Sequence, residues 1–459
     1  MKIFTNCCLI AMSACILSAS SLKDMIENAT LDGWLRGKYF YSDGRDGSGQ
    51  GYQMFFLPNL HSGEVNGYSL TVGVFAAYGP GVPDAVTADN SIGGSRAPRI
   101  DGSSAPDVFN ISNLYINKNF DALGSKTTVR LGQMNIVSAL NAGTSYGDRG
   151  LGGMITNEDI KGIKLYASAY DSWMTDNIML AMNQAYTYGI GNNIVILGVE
   201  SNKDLAIKGL GFKVYYSWAQ QLYNMMMFGD IHYKYDFENG LSVGILGQIA
   251  GTVMNNNARF HTKDGSNLAN YFTQMQATDI GGYAHTRGIY NLQVNLKAGG
   301  YSSKLGYIGS FGQGYGTMLD SKGAFDVGGQ LWNGIVSGGI MGFGWTGAGG
   351  AKNTSLKAVY FTHRYKWHNG LGLGLDLVWV GGNNRFPYMK KGSLWLGKKS
   401  RGPVIPARET NLTADSELVE ISPQISYAFT KDFSGSVSYS QMVGDMLMAR
   451  TVVTLKYTF

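Results

Sequence analysis

The feature that most constrains this chain is an alternation of apolar and polar residues in segments of roughly ten residues, separated by breaks rich in Gly, Asn, Asp and Ser. In residues 371–380 nearly every second side chain is large and apolar, and in residues 208–218 Lys213 and Ser217 alternate with such a row. Successive strand residues point to opposite faces, so each segment reads as a two-faced strand. No run of about 18 or more apolar residues follows residue 20, which excludes helical membrane spans. The pattern is typical of a transmembrane β-barrel.

About eighteen strands can be placed in this way. They are residues 32–42, 50–57, 67–77, 107–120, 126–135, 160–170, 176–183, 192–201, 206–218, 227–237, 240–251, 284–297, 301–311, 353–365, 370–381, 416–429, 434–443 and 449–459. An even count returns the last strand beside the first and removes the sheet edge. Sixteen to twenty strands stay open, because the Gly-rich stretch 312–352 could contain another hairpin. The predicted fold class is therefore all-β, a closed antiparallel transmembrane barrel.

The predicted connections differ in length between the two ends of the barrel. Short turns at 121–125, 238–239 and 430–433 would face the periplasm. Longer connections would form external loops, at 78–106, 136–159, 252–283, 312–352 and 382–415. Short turns at one end and long loops at the other are the outer-membrane pattern.

The N-terminus predicts export. Residues 1–20 contain one Lys, an apolar run and a small-residue cleavage site, as in a secretory signal peptide. A lipoprotein would instead be cleaved before Cys15, but the apolar run continues past that point. The predicted organisation is thus a signal peptide over 1–20 and a single barrel domain over 21–459. All three cysteines lie inside the signal, so we expect no disulfide and no thiolate site in the mature chain.

The C-terminus ends within an alternating segment. Val453, Leu455, Tyr457 and Phe459 are separated by Thr and Lys, and nothing follows Phe459. A free strand end of this kind would promote aggregation in a soluble protein, but it suits the last strand of a barrel. We interpret Phe459, with Tyr457, as the terminal signal by which the barrel assembly machinery recognises its client.

Composition argues against several other functions. Without the signal, Lys+Arg falls from 37 to 36 against 32 acids, a formal charge of +4 that is too small to indicate nucleic-acid binding. The six histidines are scattered with no metal-ligand or triad spacing. We therefore predict neither enzyme activity nor a metal or other cofactor.

Alternation assigns more cations than acids to the lumen. The inward cations would include Arg36, Arg130 and Lys164, and Asp376 would be one of few inward acids. Such a wall favours anions. The third external connection along the chain, 136–159, carries charges of both signs. If the connection folds inward, its charges would lie opposite Arg130 and Lys164 at a constriction. The residues that carry these charges are Asp148, Arg149, Glu158 and Asp159.

Several short motifs resemble the OprD-type substrate-specific porin family. The matching pieces are Arg130-Leu131-Gly132-Gln133, Ala139-Leu140-Asn141, Gly147-Asp148-Arg149, Met154 and Asp159-Ile160-Lys161-Gly162. The family's prolines and its Phe–Glu pair are missing here. The start of the mature chain is similar to the Helicobacter and Campylobacter branch, including the Hof-like outer-membrane proteins. The resemblance implies a monomeric or trimeric channel with a loop-narrowed eyelet and a basic ladder that guides carboxylated solutes. Arg130, Asp148 and Arg149 match its motif residues.

The sequence thus predicts a porin in the outer membrane of a Gram-negative bacterium. It would allow passive diffusion of small hydrophilic solutes, anionic or carboxylate-bearing, through a basic lumen. Its expected partners are outer-membrane lipid and lipopolysaccharide, the assembly machinery, the solutes and, for a homotrimer, further copies of the chain, but no nucleic acid. The alternative is a surface adhesin on a filled or weakly conducting barrel, because the loops at 252–283 and 382–415 are long enough to bind a surface.

Overall fold

The structure is a computed structural model of the full chain. The residues that it describes are 19–44, 47–78, 107–141, 148–174, 193–220, 222–255, 284–319, 322–333, 343–345, 348–350, 352–384, 417–445 and 448–459.

Nearly all regular structure in these residues is β-strand. The strands are β1 Thr30–Gly44, β2 Gly47–His61, β3 Tyr68–Tyr78, β4 Asp107–Asn119, β5 Thr127–Asn135, β6 Arg149–Asn157, β7 Ile163–Met174, β8 Ile194–Ser201, β9 Leu210–Ala219, β10 Tyr223–Asp236, β11 Leu241–Met254, β12 Thr286–Ala298, β13 Tyr301–Gly312, β14 Lys357–Lys366, β15 Leu371–Gly381, β16 Leu418–Ala428, β17 Phe433–Gly444 and β18 Met448–Thr458. One α-helix, α1 Ala19–Glu27, precedes them, and two short 3-10 helices are Asp121–Leu123 and Ala348–Gly350.

The eighteen strands form one closed antiparallel barrel. Each strand pairs with the next along the chain, and β1 pairs with β18. At this seam Trp34 lies opposite Thr458, and the pairing continues to Gly44 opposite Met448. The backbone N–H of Gly33 donates to Phe459 O at 3.0 Å, and the N–H of Phe459 donates to Gly33 O at 3.1 Å. The predicted fold class and strand count are confirmed.

Gly33 is required where the seam closes. Its φ of +150° lies in the region that L side chains rarely adopt, and a Cβ there would lie 2.3 Å from Leu57 O. The Phe459 ring stands on the outer side of this point, with its centroid 6.0 Å from that of Phe56. The last residue of the chain is therefore built into the first strand pair.

Side chains alternate between the two faces as the sequence predicts. In β9, Val214 and Trp218 are exposed on the outer face, whereas Tyr215 and Ser217 are buried on the inner face. In β15, large apolar residues again point outwards, and Asp376 points inwards with 1% exposure. Large apolar side chains are exposed on the outer face of every strand except β5, which gives the barrel an apolar outer band.

One predicted strand and one predicted loop are assigned differently. Residues 149–157, placed in an external loop from the sequence, form β6 between β5 and β7. The predicted strand 176–183 lies outside the described residues, and β7 pairs directly with β8. The Gly-rich stretch 312–352 contains no strand in its described part beyond isolated bridges at Gly314, Met318 and Gly344.

Short turns gather at one end of the barrel, as predicted. Two of them contain an Asn-Gly pair, in which Asn239 Oδ1 and Asn369 Oδ1 accept the N–H two residues ahead at 3.1 Å. Gly240 and Gly370 follow with φ of +79° and +87°, which a turn this tight requires. At the opposite end most connections are long, but those after β1, β9 and β17 span only 45–46, 220–222 and 445–447.

The N-terminal helix packs at the end of the barrel that carries the short turns. Met25 is buried, and its carbonyl accepts the N–H of Gly63 at 2.7 Å in the β2–β3 turn. No helix among the described residues is long and apolar enough to cross a bilayer. The predicted signal peptide falls mostly on residues 1–18, outside the described part, and its cleavage after residue 20 stays a prediction.

A paired substitution in β17 tests which face meets lipid. Val437 points outwards and is 40% exposed, and its neighbour Ser438 points inwards. We expect Val437→Arg to destabilise the folded barrel by about 2–4 kcal/mol, because a cation in the hydrocarbon is poorly solvated, and Ser438→Arg to be tolerated. The measurement is the denaturant midpoint of the barrel refolded in lipid vesicles. Equal losses in both variants would contradict the assignment of faces.

Candidate functional site

The long connection between β13 and β14 is folded into the barrel. We call its described part, residues 313–319, 322–333, 343–345, 348–350 and 352–356, the inner loop. Gln248 of β11 donates to Ala324 O at 3.0 Å, and Asn291 of β12 donates to Asp326 O at 3.2 Å. The Tyr360 hydroxyl of β14 also donates to Asp326 O at 3.2 Å. Because these three wall residues face inwards, the inner loop lies inside the lumen against this wall.

A buried carboxylate holds the tip of the inner loop. Glu420 of β16 is fully buried and accepts the backbone N–H groups of Gln330, Leu331 and Trp332 at 2.5, 3.1 and 2.8 Å. The Ser422 hydroxyl donates to the same carboxylate at 2.6 Å. Consecutive N–H groups converging on one anion form a strong, charge-assisted contact. Glu420 therefore fixes residues 330–332 against the wall.

Asp376 supports the same turn from the neighbouring strand. Its carboxylate accepts the N–H of Gly329 at 3.1 Å and the side-chain amide of Gln330 at 3.2 Å. Arg364 of β14 forms an ion pair with Asp376 at 2.5 Å. Asp376 therefore points inwards as predicted, but its carboxylate anchors the inner loop and its charge is balanced by Arg364.

Aromatic packing fills the space behind this turn. The Phe325 ring lies 5.4 Å from Phe228 of β10 and 5.7 Å from Phe343, both edge to face. Trp332 contacts Phe343 at 5.8 Å, and Tyr223 contacts Trp345 at 6.5 Å. Buried edge-to-face pairs contribute about 0.5–1.5 kcal/mol each beyond their area. The inner loop is therefore packed as a part of the barrel and not laid loosely across it.

The β5–β6 connection joins this assembly. Its described residues, 136–141 and 148, include buried Leu140 and Asp148. Asn141 donates to Asp148 Oδ2 at 2.8 Å and to Ile136 O at 2.5 Å. The carbonyls of Ala139 and Leu140 accept N–H groups of the inner loop at 2.9 and 2.8 Å. Asp148 thus closes the connection on itself, and the inner loop packs against it.

The wall at the β1–β18 seam is basic. Arg36 and Lys456 lie directly opposite each other in the register, and both point inwards. The Arg36 guanidinium lies 5.0 Å from the Trp34 and Phe55 ring centroids, and the Lys456 ammonium lies 5.9 Å from Trp34. Like charges at opposed positions of a strand pair destabilise a sheet. The inner face of the seam therefore carries two adjacent positive charges.

A second group of inward charges lies on β5 to β10. Lys164 and Lys213 alternate with Glu200 and Asp230 in the register of four adjacent strands, so this row carries no net charge. Arg130 donates to Asn117 Oδ1 at 3.2 Å, and its guanidinium lies 5.3 Å from the Tyr115 ring. The predicted inward orientation of Arg130 and Lys164 agrees with the register.

Glu158 and Asp159 do not lie where the sequence interpretation put them. They belong to the short β6–β7 turn at the rim of the barrel. Asp159 accepts bonds from the Ser125 hydroxyl at 2.7 Å, from the Lys126 N–H at 2.6 Å and from the Asn157 amide at 2.7 Å. These bonds lower the pKa of Asp159. The constriction assignment of both acids is wrong, because residues 149–157 between them and the connection are a strand.

Arg149 begins β6 and is 7% exposed. Its Nη1 donates to Ile111 O at 3.0 Å, and its guanidinium lies 5.9 Å from the Phe75 ring. Although Arg149 directly follows Asp148 in sequence, its side chain connects β6 to β4. At the other end of the barrel Tyr457 is 46% exposed on the outer face, and Phe459 caps the seam. No group of three or more metal-ligating side chains occurs among the described residues.

Sequence reasoning missed the residues that hold the inner loop. Nothing in the sequence near Glu420 predicts its contact with Gln330, which lies 90 positions earlier. The ion pair of Lys304 with Asp326 was likewise unpredicted. The available signal was the Gly-rich composition of 312–352, which suits close approach of backbone to a wall.

Comparisons with known proteins reveal similarity at the level of fold. No protein-family model and no curated protein matches the sequence. Among solved structures, OccAB1 of Acinetobacter baumannii superposes with a TM-score of 0.63 at 14% identity, covering 95% of this chain and 98% of that one. OccK9 (OpdG) of Pseudomonas aeruginosa gives 0.60 at 15% identity, with 95% and 100% coverage. A double variant of OccD1 (OprD) gives 0.60 at 13% identity, with 95% and 96% coverage. The chain shares the eighteen-stranded fold of these proteins.

Neutralising Glu420 tests the loop anchor. Glu420→Gln replaces an oxygen with an NH₂ group that faces three N–H donors, so we expect the 330–332 amides to lose about 1–3 kcal/mol of protection. Hydrogen exchange with mass spectrometry should report faster exchange there, by about 10- to 100-fold. Glu417→Gln, an exposed change of the same kind one residue before β16, is the control. Unchanged exchange in Glu420→Gln would contradict the anchor.

Proposed function

We propose that the protein is an outer-membrane porin that lets small, hydrophilic, anionic or carboxylate-bearing solutes diffuse passively through a basic lumen. The observation that carries this proposal is the pairing of Arg36 with Lys456 on the inner face of the seam. Such a pair costs folding free energy. A channel that attracts anions gives it a function, because low-dielectric walls focus the field of lumenal charges.

The inward acids do not cancel this field on the β14–β16 side. Glu420 is occupied by three N–H groups of the inner loop, and Asp376 is paired with Arg364. Both acids are buried, at 0% and 1% exposure, and these contacts already balance their charge. The wall of β1, β5 and β18, which carries Arg36, Arg130 and Lys456, therefore sets the sign of the field.

The proposed site follows from these positions. Arg36, Arg130 and Lys164 line the path of the solute. Asp148, Arg149 and Asp376 act as positioning residues, since each holds a connection or a strand end through the bonds described above. Glu158 and Asp159 are outside the site. The inner loop, and not the β5–β6 connection alone, narrows the lumen.

Location and partners are part of the same proposal. The apolar outer band suits hydrocarbon lipid, and the signal peptide with Phe459 at the seam suits export and delivery to the barrel assembly machinery. We place the protein in the outer membrane of a Gram-negative bacterium, in contact with lipid and lipopolysaccharide, as a monomer or a homotrimer. The adhesin alternative has no structural observation in its favour, because most of its candidate loops lie outside the described residues.

Reversing the charge of Lys456 tests the ion selectivity of the channel separately from the stability of the barrel. Lys456→Glu places an acid opposite Arg36, so we expect equal or higher thermal stability together with a loss of anion preference. A change of two charge units about 7 Å from an ion amounts to about 1 kcal/mol in water, or about fivefold in the anion-to-cation permeability ratio. The measurement is the reversal potential in planar bilayers under a salt gradient.

The control is Lys431→Glu, a reversal in the β16–β17 turn, where the side chain is 89% exposed. It should leave the permeability ratio unchanged. If the wild-type channel prefers cations, the proposed anion selectivity is wrong but the proposed channel function stands. Absence of current from a protein shown to be folded would overturn the channel itself.

A further inference from the structure

A polar cavity of about 420 Å³ lies between the inner loop and the wall of β13 to β15. Its size falls in the range of small-molecule sites, about 300–1,000 Å³. It is lined by Ser302, Lys304, Lys322, Val327, Gly328, Gly329, Gln330, Asn333, Thr362, Arg364 and Asp376. Val327 is the one lining residue with a large apolar side chain. The cavity therefore suits a hydrophilic ligand.

Two of the three cations at this cavity are already balanced. Lys304 forms an ion pair with Asp326, and Arg364 forms one with Asp376. The remaining guanidinium N–H groups of Arg364 also have acceptors. Nε and Nη2 donate to the Gln424 carbonyl oxygen at 2.9 and 2.6 Å when the amide is oriented by its partners.

Lys322 is the cation that is not balanced. Its ammonium group makes no hydrogen bond or ion pair with any residue in the part of the chain that the structure describes, and the residue is only partly exposed. Burial lowers the pKa of Lys322, while the charge of Asp326 acts against this shift. An ammonium group away from water is costly without a counter-ion. With both pairs neutral, the cavity carries one net positive charge.

Hydroxyl groups accompany this charge. The side chains of Ser302 on β13 and Thr362 on β14 line the cavity and have no hydrogen-bond partner among the described residues. Asn333 uses its NH₂ group on Gly328 O and Gly329 O at 3.2 Å, which leaves its carbonyl oxygen to accept. One cation, two hydroxyls and an amide oxygen match a carboxylate that carries hydroxyl groups.

We propose that this cavity binds one small hydroxylated monocarboxylate, with the Lys322 ammonium as its counter-ion. The proposal rests on the channel function above, since the solute reaches the cavity through the lumen. It goes further by naming a site, a ligand class and a charge of one. A channel with such a site has a saturable conductance for this ligand, whereas the basic wall at β1 and β18 gives only a general preference for anions.

The test uses sodium gluconate as the probe and glucose as its uncharged match, added to single channels that carry chloride. We expect gluconate to reduce the chloride current along a saturable curve and glucose to have no comparable effect. In Lys322→Gln the half-blocking gluconate concentration should rise about tenfold or more, the loss expected for one charge-assisted contact. Lys322→Arg should retain most of the block. Lys161→Gln, an exposed change in the β6–β7 turn, should behave as wild type.

Each outcome decides between the two proposals. Block that is equal in wild type and Lys322→Gln, or that does not saturate, would overturn the site while the chloride current upholds the channel. If the folded wild-type protein carries no current, the channel proposal fails, and calorimetric titration of the detergent-solubilised protein with gluconate still tests the site. Heat flow in wild type that is lost in Lys322→Gln and kept in Lys322→Arg would then support it, and heat flow in none would overturn it.

Discussion

The structure depends on one constraint, which is that the hydrogen-bonded ladder must close on itself. A barrel with an apolar outer band cannot leave strand edges unpaired, because no water is present in lipid to satisfy their N–H and C=O groups. The β1–β18 pairing meets this requirement over eleven residue pairs, from Trp34 with Thr458 to Gly44 with Met448. The end of the chain belongs to this closure, since Phe459 exchanges both backbone bonds with Gly33.

The same need for satisfied backbone groups explains the acids inside the barrel. A loop that enters the lumen brings N–H groups that the strands do not pair, and burying them without acceptors costs free energy. Glu420 and Asp376 supply acceptors to the turn at residues 329–332, and Asp148 is bonded by Asn141 in the β5–β6 connection. These three carboxylates therefore act as parts of the fold. Their charge serves to position the connections inside the barrel.

Sequence periodicity predicted most of the strands and failed where glycines interrupt the alternation of apolar and polar side chains. β9 and β15 were read correctly because large apolar residues mark every second position. β6 was missed because its sequence, RGLGGMITN, has glycine at positions 150, 152 and 153. The structure gives the reason: a Cβ at Gly150 would lie 2.4 Å from the Tyr170 ring, and one at Gly152 would lie 2.1 Å from Ala169 O. The orientation of Arg130 and Lys164 followed from alternation. The contact of Glu420 with the inner loop did not, since it joins segments 90 residues apart whose pairing has no period.

The lumen is consequently asymmetric in charge across its width. In a ring of eighteen strands, β5 and β14 stand nine positions apart, so Arg130 and Arg364 belong to opposite walls. On the β14 side Lys304 and Arg364 each have an acid partner, whereas the ammonium of Lys322 on the inner loop has none among the described residues. On the opposite side Arg36 of β1 faces Lys456 in the register, and Arg130 of β5 faces Asn117. In the anion channel that we propose, a negative solute would be drawn along one wall and would meet one further cation, Lys322, on the inner loop. The general preference for anions would then depend on the barrel wall, and the choice of ligand would depend on the inner loop. Either could change by substitution without altering the fold of the other element.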